Sequence, residues 1–201
     1  MLNSKTDMNK ILGNPVSVAT ERVTYIQFCA PIIENSIRTL MQNILNEVNY
    51  GTNRLVILIS SPGGSVFWGL TAYNFLKGLP INIDTHNIGS VDSVAIVVYC
   101  AGIRRYSVPH GRFLMHGVGF DVPQGTRFDE KTLDERMKSL RMDMENIAGV
   151  ISENTGKSEE EIKKAMYEGT VLNPEQAVKF GLVHEIKTQL FPSGAKVLPI
   201  L

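Results

Sequence analysis

The sequence predicts an α/β protein built on a parallel sheet, and three observations carry that expectation. Leu55-Val56-Ile57-Leu58-Ile59 is an unbroken apolar run of strand length, as in a sheet buried on both faces. Ile33 to Val48 places apolar residues at 33, 37, 40, 41, 44, 45 and 48, which is a helical stripe. Strand-like and helix-like segments then alternate through the first half, which predicts parallel pairing with right-handed crossovers.

The elements follow in order. Residues 1–15 read as a flexible arm closed by Gly13-Asn14-Pro15. Val16 to Phe28 is rich in Val, Thr, Tyr and Ile and reads as one or two strands. The helix over 33–48 stops at Asn49-Tyr50-Gly51. After the strand at 55–59 comes Ser60-Ser61-Pro62-Gly63-Gly64-Ser65, then a helix from Val66 to Lys77, ended by Gly78-Leu79-Pro80. Ile81–Ile88 is the next strand and is expected to end at Gly89. A small, apolar helix over Ser93–Ala101 follows, then short strands at Arg105–Val108 and Arg112–Met115. Gly117 to Phe128 has little regular pattern.

Asp129 to Asn154 reads as one long helix with Leu133, Met137, Leu140, Met144, Ile147 and Ile151 on one face. That face either covers the chain's own core or packs against another subunit. Ser158-x-x-Glu161 is a capping box that opens a short helix. Pro174 to Phe180 is a last helical turn or two, and 181–186 closes as a strand. With no linker, repeat or low-complexity segment, the 201 residues are read as a single domain.

Composition narrows the function. Formal net charge is zero, which argues against nucleic acid or an anionic membrane as the main partner. No apolar stretch is long enough for a membrane span, and residues 1–13 lack the apolar centre of a signal peptide. Cys29 and Cys100 sit in apolar runs without metal-ligand spacing. They read as a reduced, buried pair in a reducing, cytoplasmic compartment, with no metal and no cofactor implied.

Three stretches carry possible chemistry. Ser93 lies between the end of a strand and the first turn of a helix, near unpaired backbone N–H groups. It is either a nucleophile or, with Asp92, a helix cap. The Gly63-Gly64 loop follows a buried strand, where two glycines let backbone N–H groups face a cavity. Both stretches open at the carboxyl ends of parallel strands, where sites gather in such sheets. His116 ends an apolar strand and is either structural or a general base. His86, inside a strand, His110, in a turn, and His184, near the end, rank lower. Thr155-Gly156-Lys157-Ser158 looks like the end of a phosphate-binding loop. It lacks the required glycine at Ile151 and follows a helix, so nucleotide binding is rejected.

Taken together, these residues resemble the ClpP family, the proteolytic subunits of Clp proteases, in a divergent form. The resemblance rests on Ile59–Val66, Ile88-Gly89 with Ser93, Ala101-Gly102, Pro109, Phe113–His116, Thr155-Gly156 and Ala177–Val183, over roughly residues 20–187. It implies a ClpP/crotonase-like spiral of β-strand and helix units. It also implies a serine endopeptidase with Ser93 as nucleophile, His116 as general base, and the amides of Gly64 and Val94 as oxyanion hole. Peptide or unfolded-protein substrates, a homo-oligomer of stacked heptameric rings and a separate AAA+ unfoldase come with it. The region of about 117–154 is the expected ring-to-ring handle.

Three departures stand out. Gly169 occupies the place of the family's triad aspartate, and Glu168 that of the neighbouring arginine. Glu168 is therefore the candidate third member, with Asn173, a backbone carbonyl or water behind it. Asp92 replaces a small residue beside Ser93. These departures keep open an inactive structural or regulatory ring subunit. A crotonase-like acyl-CoA enzyme ranks below both, and membrane peptidases with a lysine base fit worse because no membrane segment is present.

Overall fold

The computed structural model describes residues 21–200, so the arm over 1–15 and the start of the first strand lie outside the described residues. The elements are β1 (Val23–Phe28), α1 (Glu34–Asn49), β2 (Arg54–Ser61), α2 (Val66–Lys77), β3 (Asn82–Asp92), α3 (Ala95–Tyr99), β4 (Arg104–Ser107) and β5 (Arg112–Leu114). Then come α4 (Glu130–Thr155), α5 (Glu159–Glu168), β6 (Val171–Leu172), α6 (Pro174–Phe180), β7 (Glu185–Ile186) and β8 (Lys196–Ile200).

The strands form one sheet in the order β6-β5-β3-β2-β1-β8, with β4 beside β3 and β7 beside β4. β1, β2 and β3 pair in parallel, as the alternation predicts. β3 then changes partner on its other edge. Asp84–Asn87 pair with β4, and Ser90–Asp92 pair with β5, both in parallel. This switch turns an open sheet into a spiral. Side chains of Ile26, Phe28, Leu55, Ile57 and Ile59 meet those of α1, α2 and α3 in one buried cluster, which extends to Ile147, Ile151, Ile162 and Leu182. α3 is buried along its whole length. No helix among the described residues is long and apolar enough to cross a membrane.

Several expectations change in detail. β3 does not stop at Gly89 but runs to Asp92. β2 shifts register between Ile59 and Ser61, and a side chain at Gly89 would lie 2.9 Å from Ser60 Oγ. The glycine therefore permits close approach to an irregular neighbour and does not end the strand. The helix expected over Ser93–Ala101 is confined to Ala95–Tyr99. β6 and β8 carry no pattern that betrayed them. β8 adds in parallel to the edge of β1, anchored by Lys196 Nζ on the buried Glu47 carboxylate at 2.6 and 2.8 Å.

The stripe on α4 divides. Ile147 and Ile151 are buried in the chain's own core, whereas Leu133 and Met137 are 45% and 41% exposed. Cys100 is buried, and burial pushes its thiol up to about 12, while Cys29 is only partly buried, which corrects the buried pair. Thr155–Ser158 joins the end of α4 to the N-cap of α5, as its rejection as a phosphate loop requires.

The C-terminal segment is held by histidine. His86 on β3 is 1% exposed, and its Nε2 is hydrogen-bonded to the Lys187 carbonyl at 2.9 Å. Burial, with the nearby Lys187 charge, holds its pKa below the ordinary histidine range. The folded state thus binds this proton less readily than the unfolded chain. The contribution is complete above about pH 6.5 and is lost as pH falls through the depressed value. Thermal midpoints are expected to drop between about pH 7 and about pH 5. The slope should be shallower in His86→Gln, as read by differential scanning fluorimetry.

Candidate active site

Two loops meet at the carboxyl ends of β2 and β3. The first follows β2. Gly63 and Gly64 have φ of 86° and 147°, which side chains rarely adopt. A Cβ on Gly63 would lie 2.6 Å from Ser93 Cβ and 2.7 Å from the Asp92 carbonyl oxygen. A Cβ on Gly64 would collide with the Ile32 carbonyl. Ile32 holds the loop from the other side: its N–H donates to the Gly63 carbonyl and its carbonyl accepts from Ser65 N–H, both at 2.8 Å. The loop is thus clamped between Ile32, in the β1–α1 connection, and Ser93.

The second loop is Ser93 itself. Its φ is 58°, the one positive value at a non-glycine among the described residues. Such a conformation costs about 1–3 kcal/mol and persists only where the surroundings hold it. Here Ser93 N–H donates to the Leu114 carbonyl at 2.7 Å, one step beyond the last β3–β5 pair, Asp92 with Leu114. Neither Ser93 nor Asp92 caps α3. Val94 is the N-cap and receives no side-chain bond, which overturns the capping alternative. The Asp92 carboxylate instead accepts from Arg112 Nη2 at 2.6 Å.

His116 follows β5 by two residues. Met115 N–H donates to the Thr170 carbonyl at 2.8 Å, just before β6, and this fixes the path of the chain into His116. The ring is exposed, and its Nδ1 lies 2.8 Å from the Gly117 carbonyl. With the proton on Nδ1, that nitrogen donates to Gly117 and Nε2 is left as the proton acceptor. Ser93 and His116 line one cavity of about 130 Å³ together with Gly64 and Val94. Val66, Met115, Val118, Ile147, Ile151 and Met166 give that cavity apolar walls. The N–H groups of Gly64 and Val94 have no hydrogen-bond partner among the described residues.

The third position is different. Gly169 adopts a left-handed conformation, φ 67°, as the C-cap of α5, with open space around its Cα. Glu168 is exposed, with its carboxylate 3.8 Å from Lys164 Nζ. Asn173 spends its side-chain oxygen on Gln176 N–H as the cap of α6. The expected carboxylate–histidine contact is therefore not made in this arrangement, and the partner of His116 is the Gly117 carbonyl. Of the other histidines, His184 Nδ1 accepts from Arg105 N–H, and burial with the Arg105 charge holds its pKa down. Among the described residues, no group of His, Cys, Asp and Glu has metal-binding geometry.

The Clp protease family model matches residues 15–189. The chain belongs to the Clp protease family. It is 32% identical over 141 residues to the ATP-dependent Clp protease proteolytic subunit 2 of Thermobifida fusca, covering 67% of this chain and 65% of that protein. The subunit of the same name from Corynebacterium efficiens is 32% identical over 143 residues, with 68% of both chains covered. The matched part thus spans just under two thirds of the first relative's length. A solved structure of a ClpP1 point mutant from Listeria monocytogenes superposes with a TM-score of 0.73 at 24% identity, over 84% of this chain and 92% of that one. That likeness shows the ClpP/crotonase-like fold.

Sequence reasoning missed Arg112, and it allowed a backbone carbonyl as the partner of His116 without placing it at Gly117. An arginine opening a short strand carries no functional signal in one sequence, and which backbone carbonyl meets a given side chain is set by the fold. The packing of Gly63 yields a direct expectation. Gly63→Ala forces a Cβ into Ser93 at an unfavourable φ, so unfolding free energy in urea should fall by about 2 kcal/mol or more.

Proposed function

We propose that this chain is a serine endopeptidase of the Clp type that works inside a ring of its own copies. The observation carrying the proposal is that Ser93, in a strained turn, and His116 line one cavity with two unpaired backbone donors. In this reading Ser93 Oγ attacks the peptide carbonyl carbon while His116 Nε2 takes its proton. The N–H groups of Gly64 and Val94 donate to the oxygen of the tetrahedral intermediate. The C–N bond then breaks, His116 returns the proton to the leaving amine, and the acyl group stays on Ser93 as an ester. Water, deprotonated by the same imidazole, hydrolyses that ester and restores both side chains.

The Gly117 carbonyl takes the orienting part. It selects the tautomer that leaves Nε2 free but brings no full negative charge to an imidazolium. Glu168, one residue from the family's acid position, acts only if its carboxylate leaves Lys164 for His116. The chain as one domain, with α4 as the handle between rings, accounts for the exposed Leu133, Met137 and Met142. Substrates are peptides or unfolded proteins, delivered by a separate ATPase in the cytoplasm, where the two free cysteines are at home.

A fluorophosphonate probe is expected to label Ser93, and Ser93→Ala should abolish both labelling and peptide hydrolysis. His116→Ala should reduce both by about 10³-fold or more. Glu168→Gln should stay within about 3-fold of the unsubstituted chain. Rings that form but never react with the probe would overturn the proposal in favour of an inactive subunit.

A further inference from the structure

The ion pair beside Ser93 has no part in the mechanism above, yet it occupies a decisive place. β3 and β5 pair in parallel as Ser90 with Arg112, Val91 with Phe113, and Asp92 with Leu114. Val91 and Phe113 point into the core and are fully buried. Ser90, Asp92 and Arg112 therefore share the opposite face, since side chains alternate along a strand. From that face Arg112 Nε donates to Ser90 Oγ at 2.9 Å, and its Nη2 donates to Asp92 Oδ2 at 2.6 Å. One guanidinium thus ties the last two outward-facing positions of β3 to β5.

The Asp92 side chain is 8% exposed against 56% for Arg112, and Asp92 Oδ1 is buried without a partner among the described residues. A carboxylate in such a place depends on the cation paired with it, because removing that cation leaves a buried charge uncompensated. The residue that follows β3 is Ser93, whose N–H donates to the Leu114 carbonyl, and two residues beyond Leu114 is His116.

We infer that Asp92 and Arg112 are positioning residues for the Ser93–His116 pair. They lock the β3–β5 register at the point from which both side chains depart. The inference rests on the peptidase reading of Ser93 and His116. It adds a determinant outside the cavity, because neither Asp92 nor Arg112 lines it. A shift of the register end moves the nucleophile relative to the base, so the loss falls on turnover and leaves substrate binding alone.

The test is the rate of fluorophosphonate labelling together with kcat and KM on a fluorogenic peptide. Ring size and thermal midpoint are measured alongside. Arg112→Gln should lower kcat and the labelling rate about 10-fold or more, with KM within about 2-fold. Arg112→Lys should recover part of the rate, because its charge still reaches Asp92 although the fork to Ser90 is gone. The double variant D92N/R112Q should be no slower than Arg112→Gln alone, since it removes the unpaired charge. If Arg112→Gln does not fold, Asp92→Asn decides, with an expected fall of about 3-fold in kcat alone.

Wild-type rates in Arg112→Gln and Asp92→Asn overturn the inference, as does a loss of stability with rates intact or a change confined to KM. An unsubstituted chain that never labels at Ser93 defeats the peptidase reading and this inference together. Labelling that the variants leave unchanged defeats only the inference.

Discussion

A strand has two edges, and β3 uses three partners. β2 takes one edge, while β4 and then β5 share the other. Everything at the cavity depends on that change of partner. Because β5 pairs only with Ser90–Asp92, it lies beside the end of β3, and the residues that follow it line the same cavity as Ser93. A β4 that continued along β3 would have left the loop after Val108 there instead. The spiral is thus the device that converts a serine and a histidine 23 positions apart in the chain into lining of one cavity.

Strain is concentrated at the same place. Gly63, Gly64 and Ser93 all have positive φ, and Gly63 packs so closely on Ser93 that a Cβ there would lie 2.6 Å from Ser93 Cβ. Ser93 is held by the Leu114 carbonyl on one side and by the missing side chain of Gly63 on the other. Such conformations persist where the surroundings over-determine them, and the surroundings here are well chosen for it. α3 is fully buried, β3 is central, and Ile32 grips the glycine loop through two backbone bonds. Arg105 secures the far side of the spiral. It is 4% exposed and donates to the carbonyls of Gly102, Asn154, Gly181 and Leu182, so one side chain collects the ends of α4 and α6.

In the peptidase reading the third position falls on Gly169, where the backbone suits glycine. Where α5 must end and turn at once into β6, position 169 takes a left-handed conformation, which glycine adopts without cost. His116 then finds its acceptor next door, in Gly117. A neutral carbonyl gives an imidazole its orientation and tautomer, whereas a carboxylate also stabilises the imidazolium. In the peptidase reading the third position thus keeps orientation and gives up charge, while the buried carboxylate beside Ser93, Asp92, is paired with Arg112.

The sequence by itself determined the elements whose signal is local. The apolar run of β2, the stripes of α1 and α4, the capping box at Ser158 and the helix opened by Pro174 are set by side-chain periodicity and hydrogen bonds within a few residues. All of them stand where expected. Ser93, Gly64 and His116 stood out as candidates because a nucleophile, a donor loop and a base have characteristic places at strand ends, and the three line one cavity. What depends on partners distant in the chain was not legible. Gly89 reads as a strand end, yet it serves close packing on Ser60. β6 and β8 are two- and five-residue strands whose only justification is the edge they join. Asp92 reads as a cap until Arg112 is brought beside it. Only the tertiary structure decides such cases, because the free energy of a buried charge or a packed glycine is set by atoms that the chain delivers from elsewhere.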